Sequence, residues 1–326
     1  MKPELVTIRN ENFRPGTKTE SREVVFKFET GAMGDYICWL TAIKYVAENY
    51  NYVKGHLVVP FWFIEIAANV MRKYPTWRLH TEIPDRLAEG FPLKMPTVHP
   101  LNATGMHLID LGFTFFAGIN PVPEGWQFYP ELDLELINLP ISKRPPKPYA
   151  VMTPGATTAT RTMPADVFNK ISDHLISKGI TPVYLGVTSM NKGKRAVNID
   201  AGYDLNRGMN LIDRTSTLQA AKIMAGAKMV LGIDNGLLHL AACTTVPIIF
   251  GYTMVGPTHR RPYRREGHLF ELYAEKKDLP CIFCQERVRF FVDHDFANCI
   301  YKDVQCVKAL NAETWAATID QVLGEK

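Results

Sequence analysis

The chain has 326 residues, of which 46% are hydrophobic and 21% are charged, and it carries a net charge of +4. These values fit a globular protein of about two domains and exclude a disordered or fibrous chain, and the charge is too small to require a nucleic-acid partner. No apolar run approaches the roughly 20 residues of a membrane-spanning helix, and the polar N-terminus lacks the apolar core of a secretory signal, so we expect a cytoplasmic protein.

The first half of the chain begins with a strand, a turn, a helix and a second strand, predicted at 24–30, 31–35, 36–50 and 55–63. The segment PFWFIEIAANVMRKYPTW at 60–77, which overlaps the end of that strand, is aromatic and basic. We interpret it as a core helix, although its composition would also suit a membrane surface or nucleic acid. Further along, ELDLELINL at 131–139 alternates as a strand does.

The best domain boundary is LPISKRPPKP at 139–148, which contains four prolines and three cations. Proline restricts the backbone and favours extended chain, as in a linker. We therefore predict an N-terminal domain over 1–140, with an extension at 1–22, and a C-terminal domain over 149–326.

The second half alternates strands with helices more regularly. Strands are predicted at 149–155, 181–187, 228–234 and 246–252, and helices at 164–179, 217–227 and 236–244. This alternation is typical of parallel sheets with right-handed crossovers. The sequence thus predicts two α/β domains with a ligand-binding cleft.

The turn GAMGD at 31–35 is the first candidate site. Its glycines permit a tight turn, and the following helix N-terminus favours negative charge. Asp35 is therefore either a functional carboxylate or an ordinary helix cap. The turn does not match GxGxxG, so it gives no support for a dinucleotide site.

The loop PGATTATRTMP at 154–164 combines four threonines with one arginine before a helix. Hydroxyl and amide groups at such a place can hold a diphosphate, whose charge Arg161 would neutralise. The alternative is an ordinary capped loop. The arginine among the threonines favours the phosphate site.

The segment GIDNGLLHLA at 232–241 places an acid, an amide, a glycine and a histidine where a buried strand meets a helix. The side chains of Asp234 and Asn235 fall at the carboxyl edge of the sheet, Gly236 allows a close backbone approach, and His239 lies on the next helical turn. A lone histidine there would be structural, but the whole cluster predicts a ligand site.

A basic segment follows this cluster. Its cations are His259, Arg260, Arg261, Arg264 and Arg265. They form either a solvated loop or a site for phosphate-bearing molecules.

Together, these motifs resemble glycosyltransferase family 9, the heptosyltransferase-like enzymes. The likeness also rests on NLIDRTSTLQAAKIMAGAKMVLGIDNGLLHLAA and on FGYT at 250–253. It implies a GT-B fold, with two Rossmann-like domains whose parallel sheets face a central cleft. It also implies a nucleotide-sugar donor held mainly by the C-terminal domain, and inverting transfer by one in-line displacement without a catalytic cofactor or metal.

The resemblance also implies roles for particular residues. Asp35 becomes the general base. The donor-binding residues are Thr157, Thr158, Arg161, Asp234, Asn235, Gly236 and His239. Further candidates for the acceptor or for phosphate are Gly34, Thr253, Arg260 and Arg261.

The chain departs from the family pattern in ways that leave the donor open. Arg161 replaces a lysine, and Met163 replaces a tryptophan. Asn235 stands where serine or threonine is usual, and Tyr252 stands where proline is usual. Arginine keeps the charge of lysine but presents a planar fork.

The acceptor is predicted to be a saccharide of the lipopolysaccharide core type, modified at the inner membrane face. Three alternatives stay open: a viral-type transferase acting on hydroxylated DNA bases, a GT-B sugar-nucleotide epimerase, and a non-catalytic nucleotide-sugar binder. The GAMGD turn argues against the epimerase. Asp35 separates a transferase from a binder, which needs no base.

Six cysteines complete the candidates. Cys38 and Cys243 fall in helical patterns and are expected to pack as small hydrophobic residues. The others, Cys281, Cys284, Cys299 and Cys306, follow C-x2-C-x14-C-x6-C. Because cytoplasmic thiols seldom form disulfides, they are either a structural zinc site or reduced packing cysteines.

Overall fold

The structure is a computed structural model. It describes residues 22–28, 32–50, 53–84, 106–156, 158–190, 195–196, 202–286, 299 and 303–324. The chain divides into two compact units. One is Met1–Asp133 with Pro262–Arg264, and the other is Leu134–Arg261 with Arg265–Lys326.

The first unit contains a parallel sheet of three strands, in the order β1 (Arg22–Lys27), β2 (Val53–Val58) and β3 (Trp77–His80). Its helices are α1 (Met33–Asn49), α2 (Ile64–Met71) and α3 (Leu108–Gly112). A 3-10 turn, Phe61–Phe63, precedes α2, and a π-helical turn, Phe113–Ala117, follows α3. Helix α1 connects two adjacent parallel strands, as the alternating pattern predicts.

The core of the first unit forms around α1. From Gly34 to Ile43 every residue of this helix is buried, so this part of the helix is enclosed on all sides by other elements. Gly55 lets the indole of Trp77 pack directly against β2, because a Cβ at residue 55 would lie 2.2 Å from that ring. That indole stacks on Phe26 at 5.6 Å between ring centroids.

The second unit contains a parallel sheet of six strands in the order β11-β10-β9-β4-β5-β8. The strands are β4 (Tyr149–Thr153), β5 (Thr181–Tyr184), β8 (Met209–Asn210), β9 (Val230–Ile233), β10 (Ile248–Gly251) and β11 (Leu269–Leu272). A separate antiparallel pair is formed by β6 (Ser189–Met190) and β7 (Arg195–Ala196).

The helices of the second unit are α4 (Ala165–Ser177), α5 (Thr217–Ala225), α6 (Gly236–Ala241), α7 (Pro257–Arg260), α8 (Gln305–Lys308) and α9 (Ala312–Leu323). Strands β4, β9 and β10 are buried along their whole length. Such uninterrupted apolar runs are typical of parallel strands covered on both faces. Trp315 of α9 and Phe168 of α4 belong to one core with these strands.

The alternation of strands and helices is confirmed, with two local corrections. The strand predicted at 55–63 ends at Val58, because Pro60 begins the 3-10 turn that leads into α2. The strand predicted at 131–139 is wrong. Its backbone forms a turn, in which Ile137 N–H donates to the Leu134 carbonyl at 3.2 Å, and that carbonyl also accepts from Lys222 Nζ at 2.7 Å.

Two further observations concern the linker and the helices. The proline-rich stretch 139–148 lies within the second unit and contains a 3-10 turn, Ile141–Lys143. Among the described residues, no helix combines the length and the hydropathy needed to cross a membrane.

Candidate functional site

Asn235 fixes the turn between β9 and α6. Its Oδ1 caps the helix by accepting from the N–H groups of Leu237 at 2.9 Å and Leu238 at 3.2 Å. Its Nδ2 donates to the carbonyl and the hydroxyl of Thr153 at 3.1 and 3.0 Å. These four bonds use the hydrogen-bonding capacity of the amide inside the protein. They tie the turn to the end of the neighbouring strand β4.

Asp234 is the centre of a buried charge cluster and is only 2% exposed. Its carboxylate lies 3.4 Å from His239 Nε2 and 3.7 Å from Arg161 Nη1. Burial alone would raise the pKa of Asp234. The hydrogen bond from His239 and the charges of Arg260 and Arg161 outweigh burial and hold this pKa well below its usual range. Asp234 is therefore ionised at neutral pH.

The threonines of the loop at 154–164 bond mainly within the protein. The hydroxyls of Thr158 and Thr160 are 3.0 Å apart, and Thr162 Oγ1 donates to the Thr158 carbonyl at 2.9 Å. Thr253 Oγ1 donates to the Thr160 carbonyl at 2.7 Å and so fastens the loop to the residues after β10. Thr157 lies outside the described residues.

Arg161 is the side chain of this loop that reaches both the cluster and solvent. Its side chain is 22% exposed, in contrast to the buried Asp234. Its Nε also donates to Thr158 Oγ1 at 3.4 Å. The structure thus brings Arg161, Asp234 and His239 together, as the sequence predicts, with the threonines as supports of the loop.

The residues of the basic segment have different partners. The charge of Arg260 acts on Asp234. Arg261 forms a bidentate pair with Glu271, in which its Nε donates to Oε1 at 2.9 Å. His259 is buried, with its Nε2 3.8 Å from Glu286 Oε1. The sequence did not predict either glutamate partner, because both lie outside the motif.

In the first unit, Gly34 and Asp35 are buried in the first turn of α1. Asp35 Oδ2 accepts from the backbone N–H of Ala32 at 2.7 Å. Asp35 therefore contributes to capping its own helix, at an end where the helix dipole stabilises a negative charge. The two interpretations of Asp35, cap and functional carboxylate, are compatible in this geometry.

An aromatic group next to Asp35 was missed by the sequence interpretation. Tyr36 stacks on Trp62, with ring centroids 5.3 Å apart and planes 11° apart. Phe61 is 81% exposed and Trp62 is 38% exposed. The run of three aromatic residues after a strand was the available signal. It was assigned to the core, yet of the three only Phe63 is buried.

A cavity of about 770 Å³ lies elsewhere in the second unit and borders the loop at 154–164 through Thr158 and Thr162. Its volume is typical of small-molecule sites. Lys170 and Lys308 line it, whereas Asp234 and His239 do not. Met163, at the position of the family tryptophan, lines this cavity and belongs to the hydrophobic core.

The cysteines are all free thiols. Cys38 and Cys243 are buried, as their helical patterns predict. Among the described residues, no group of three or more His, Cys, Asp or Glu side chains is arranged to hold a metal ion.

The same four thiols still influence one another. Burial raises the pKa of Cys306 to about 12, and the charges of Cys284, Cys299 and Cys281 add to this effect. Burial also raises the pKa of Cys284. Thiolates held close together repel one another unless a cation balances their charge. Four thiols that act on one another are therefore donors of a type that suits a metal ion.

Comparison with known proteins agrees with the motifs. The family model described as Glycosyltransferase family 9 (heptosyltransferase) matches residues 122–286, just over half of the chain. Lipopolysaccharide heptosyltransferase 1 of Pseudomonas aeruginosa is 28% identical over 188 residues. That alignment covers 57% of this chain and 49% of the relative, so the match spans about half the length of the curated relative.

Solved structures show the same fold. The iron-containing dodecameric glycosyltransferase TibC from enterotoxigenic E. coli superimposes with a TM-score of 0.71 at 15% identity, over 94% of this chain and 80% of TibC. A second structure of TibC, in complex with ADP-D-beta-D-heptose, gives a TM-score of 0.69 at 16% identity, over 95% and 80% of the two chains. The GT-B fold, with its two Rossmann-like domains, is thereby confirmed.

Proposed function

Because the chain belongs to glycosyltransferase family 9, we propose that it transfers a sugar from a nucleotide-sugar donor to an acceptor hydroxyl, with inversion at the anomeric carbon. The observation that carries this proposal is the buried cluster at the end of β9. There, Asp234 is surrounded by Arg161, Arg260 and His239. Such a cluster at the carboxyl edge of a parallel sheet is a usual place for a ligand.

The charges of the cluster suit a sugar diphosphate. The charges of two guanidinium groups act on this site, and a guanidinium matches the geometry of phosphate oxygens. The buried, ionised Asp234 pairs with Arg161 and so orients the guanidinium that reaches solvent. Arg161, which is partly exposed, contacts the diphosphate and stabilises the negative charge that develops as it leaves. Gly236 and the fixed turn at Asn235 support this arrangement.

Asp35 is proposed to be the general base. It takes the proton of the acceptor hydroxyl while that oxygen attacks the anomeric carbon. A new glycosidic bond forms, and the bond from carbon to phosphate oxygen breaks to release the nucleoside diphosphate. Asp35 lies in the first turn of α1, at the end of the strand-to-helix turn. No metal is assigned to this step.

The proposed acceptor is a saccharide of the lipopolysaccharide core type. The support is the relationship to lipopolysaccharide heptosyltransferase 1. The donor to test first is ADP-heptose, because a structural neighbour is known in complex with ADP-D-beta-D-heptose. Location in the cytoplasm, at the inner membrane face, follows from the same proposal. DNA with hydroxylated bases is tested separately as an alternative acceptor.

Calorimetry with a panel of nucleotide sugars tests the donor site. We expect Asp234→Ala and His239→Ala to weaken binding about ten- to a hundredfold while the fold survives. Asp173→Ala is the matched control, since this exposed acid pairs with Arg207 on another surface of the second unit. Unchanged affinity in both cluster variants would remove the proposed donor site.

We propose further that Cys281, Cys284, Cys299 and Cys306 hold a structural metal ion. The C-x2-C spacing, the mutual effect of the thiols and the iron of TibC support this. Purified chain should contain about one zinc or iron per molecule, and chelation should lower its melting temperature. Metal-free chain with an unchanged melting temperature would leave these cysteines a packing role only.

A further inference from the structure

A 3-10 turn begins three residues after the end of β2 and consists of Phe61, Trp62 and Phe63. Phe63 is buried, and its ring meets Tyr36 at 5.3 Å. Phe61 and Trp62, in contrast, are 81% and 38% exposed. Large exposed aromatic residues beside a candidate site are a feature of binding surfaces. We call Phe61 and Trp62 the aromatic platform.

The indole of Trp62 is held in a fixed orientation. Tyr36 stacks on it with planes only 11° apart, and Phe63 meets it edge-on at 5.9 Å. Tyr36 is itself buried and stacks on Phe28 at 5.0 Å. A ligand that stacks on Trp62 therefore has little side-chain entropy to remove.

The platform lies at the same edge of the sheet as Asp35. Strands β1 and β2 are adjacent and parallel, so their carboxyl ends share one edge. Trp62 follows β2, and the N-terminus of α1 follows β1. Tyr36, which contacts Trp62, is the residue after Asp35. A molecule stacked on Trp62 is thus near the residue proposed to receive a proton from the acceptor.

The charge of the platform limits what can bind. Its segment PFWFIEI, 60–66, contains one acid and no cation. Anionic lipids and nucleic-acid phosphates are bound through lysine and arginine, which this segment lacks. Two exposed side chains are also too small an area for a stable protein interface. A flat apolar ring next to a base is suited to the C–H face of an uncharged sugar ring.

We propose that Trp62, assisted by Phe61, is the stacking platform for a neutral sugar ring of the acceptor. This inference rests on the proposed glycosyl transfer and gives it an acceptor subsite. The platform orients the ring through its apolar face, which leaves the reactive hydroxyl at the ring edge for Asp35. Discrimination comes from the flat face of the sugar: rings with axial hydroxyls on that face stack less well.

Intrinsic fluorescence titration with methyl hexosides and a dephosphorylated, deacylated lipopolysaccharide core oligosaccharide tests the platform. We expect Trp62→Ala to weaken oligosaccharide binding about tenfold and Trp62→Phe to stay within about threefold of wild type. Ile141→Ala, which truncates an 82% exposed apolar residue of the second unit, is the control and should bind as wild type. Saturation-transfer NMR replaces the fluorescence signal for the variants that lack Trp62.

Three results would overturn the platform: unchanged saccharide affinity in Trp62→Ala, wild-type affinity in Trp62→Leu, or binding only to phosphatidylglycerol vesicles or a DNA oligonucleotide. ADP-heptose calorimetry on the same variants separates the two proposals. Saccharide binding that depends on Trp62 without any donor binding would sink glycosyl transfer and support the platform. Normal donor binding without saccharide binding would support glycosyl transfer and sink the platform.

Discussion

Two turns of the molecule join a parallel strand to a helix and carry an aspartate, but they use it differently. Asp234 in the second unit is buried among two arginines and a histidine, and the neighbouring Asn235 caps the helix. In the first unit Asp35 itself accepts from a backbone N–H at the start of α1. In the second unit the cap and the charged group are thus two different residues, whereas in the first unit Asp35 is both.

This difference fits the two halves of the proposed reaction. A donor diphosphate requires positive charge, and the charges of Arg260 and Arg161 both act on the cluster at Asp234. A general base requires a carboxylate within hydrogen-bond reach of the acceptor hydroxyl. In the proposed reaction, the turn of the second unit serves donor binding and the turn of the first unit serves proton transfer.

The largest effect is expected for Asp35→Asn. Asparagine is of similar size and can still accept from Ala32, but it cannot take a proton. Turnover should fall at least about a hundredfold, with donor affinity and melting temperature near wild type. Steady-state kinetics with the identified acceptor give the result. Wild-type turnover would reduce Asp35 to a cap and favour a non-catalytic binding protein.

Arg161→Ala should weaken donor binding about tenfold, because it removes a guanidinium next to Asp234. Arg261→Ala is the matched control, since Arg261 is paired with Glu271. Calorimetry with ADP-heptose compares the two. Equal losses in both variants would show that general positive charge, rather than the cluster, attracts the donor.

The cluster also predicts a pH dependence of stability. The pKa of Asp234 is lowered in the folded chain, so its ionised form stabilises the fold above the unfolded pKa of about 4, and this contribution is lost as the pH falls below that value. Asp234→Asn should therefore cost about 2 kcal/mol of unfolding free energy at pH 7 and less at pH 3. Urea unfolding at both pH values measures the difference. A gap that widens towards pH 3 would contradict the sign.

The smallest effect concerns the cap at Asn235. Asn235→Ala should cost at least about 1 kcal/mol of unfolding free energy, because it removes the helix cap together with the two bonds to Thr153. Asn235→Asp keeps the capping oxygen but loses the two donated bonds to Thr153 and adds a carboxylate beside Asp234, so it should also be less stable than wild type. Denaturant unfolding of both variants tests this. If Asn235→Asp were as stable as wild type, the tie to Thr153 would carry no weight.

The sequence predicted the second unit better than the first. Strands such as VLGI and IIFG are continuous apolar runs bounded by turn residues, and their positions follow from local pattern. The stretch 131–139 alternates like a strand but forms a turn, because pairing depends on neighbours that the pattern does not show. The exposure of Trp62 also could not be predicted, because it depends on which elements pack against the residue.

The candidate site follows the same division. The cluster of Arg161, Asp234 and His239 was predictable, since each residue follows a strand of one sheet. The hydrogen bonds that Thr160 and Thr162 form within the loop could not be predicted, because a hydroxyl can face either a ligand or its own backbone. The pairing of Arg261 with Glu271 on β11 also required the strand order.

The division of the chain into units has a consequence for protein dissection. Residues 262–264 belong to the first unit although they follow most of the second in sequence. Tyr263 accepts through its carbonyl from Tyr129 N–H at 2.9 Å, and its ring meets His107 at 4.6 Å. A fragment truncated near residue 133 would lack this segment and leave Tyr129 without that bond. A circular permutant or a split-protein complementation pair must therefore keep this returning segment with the N-terminal half.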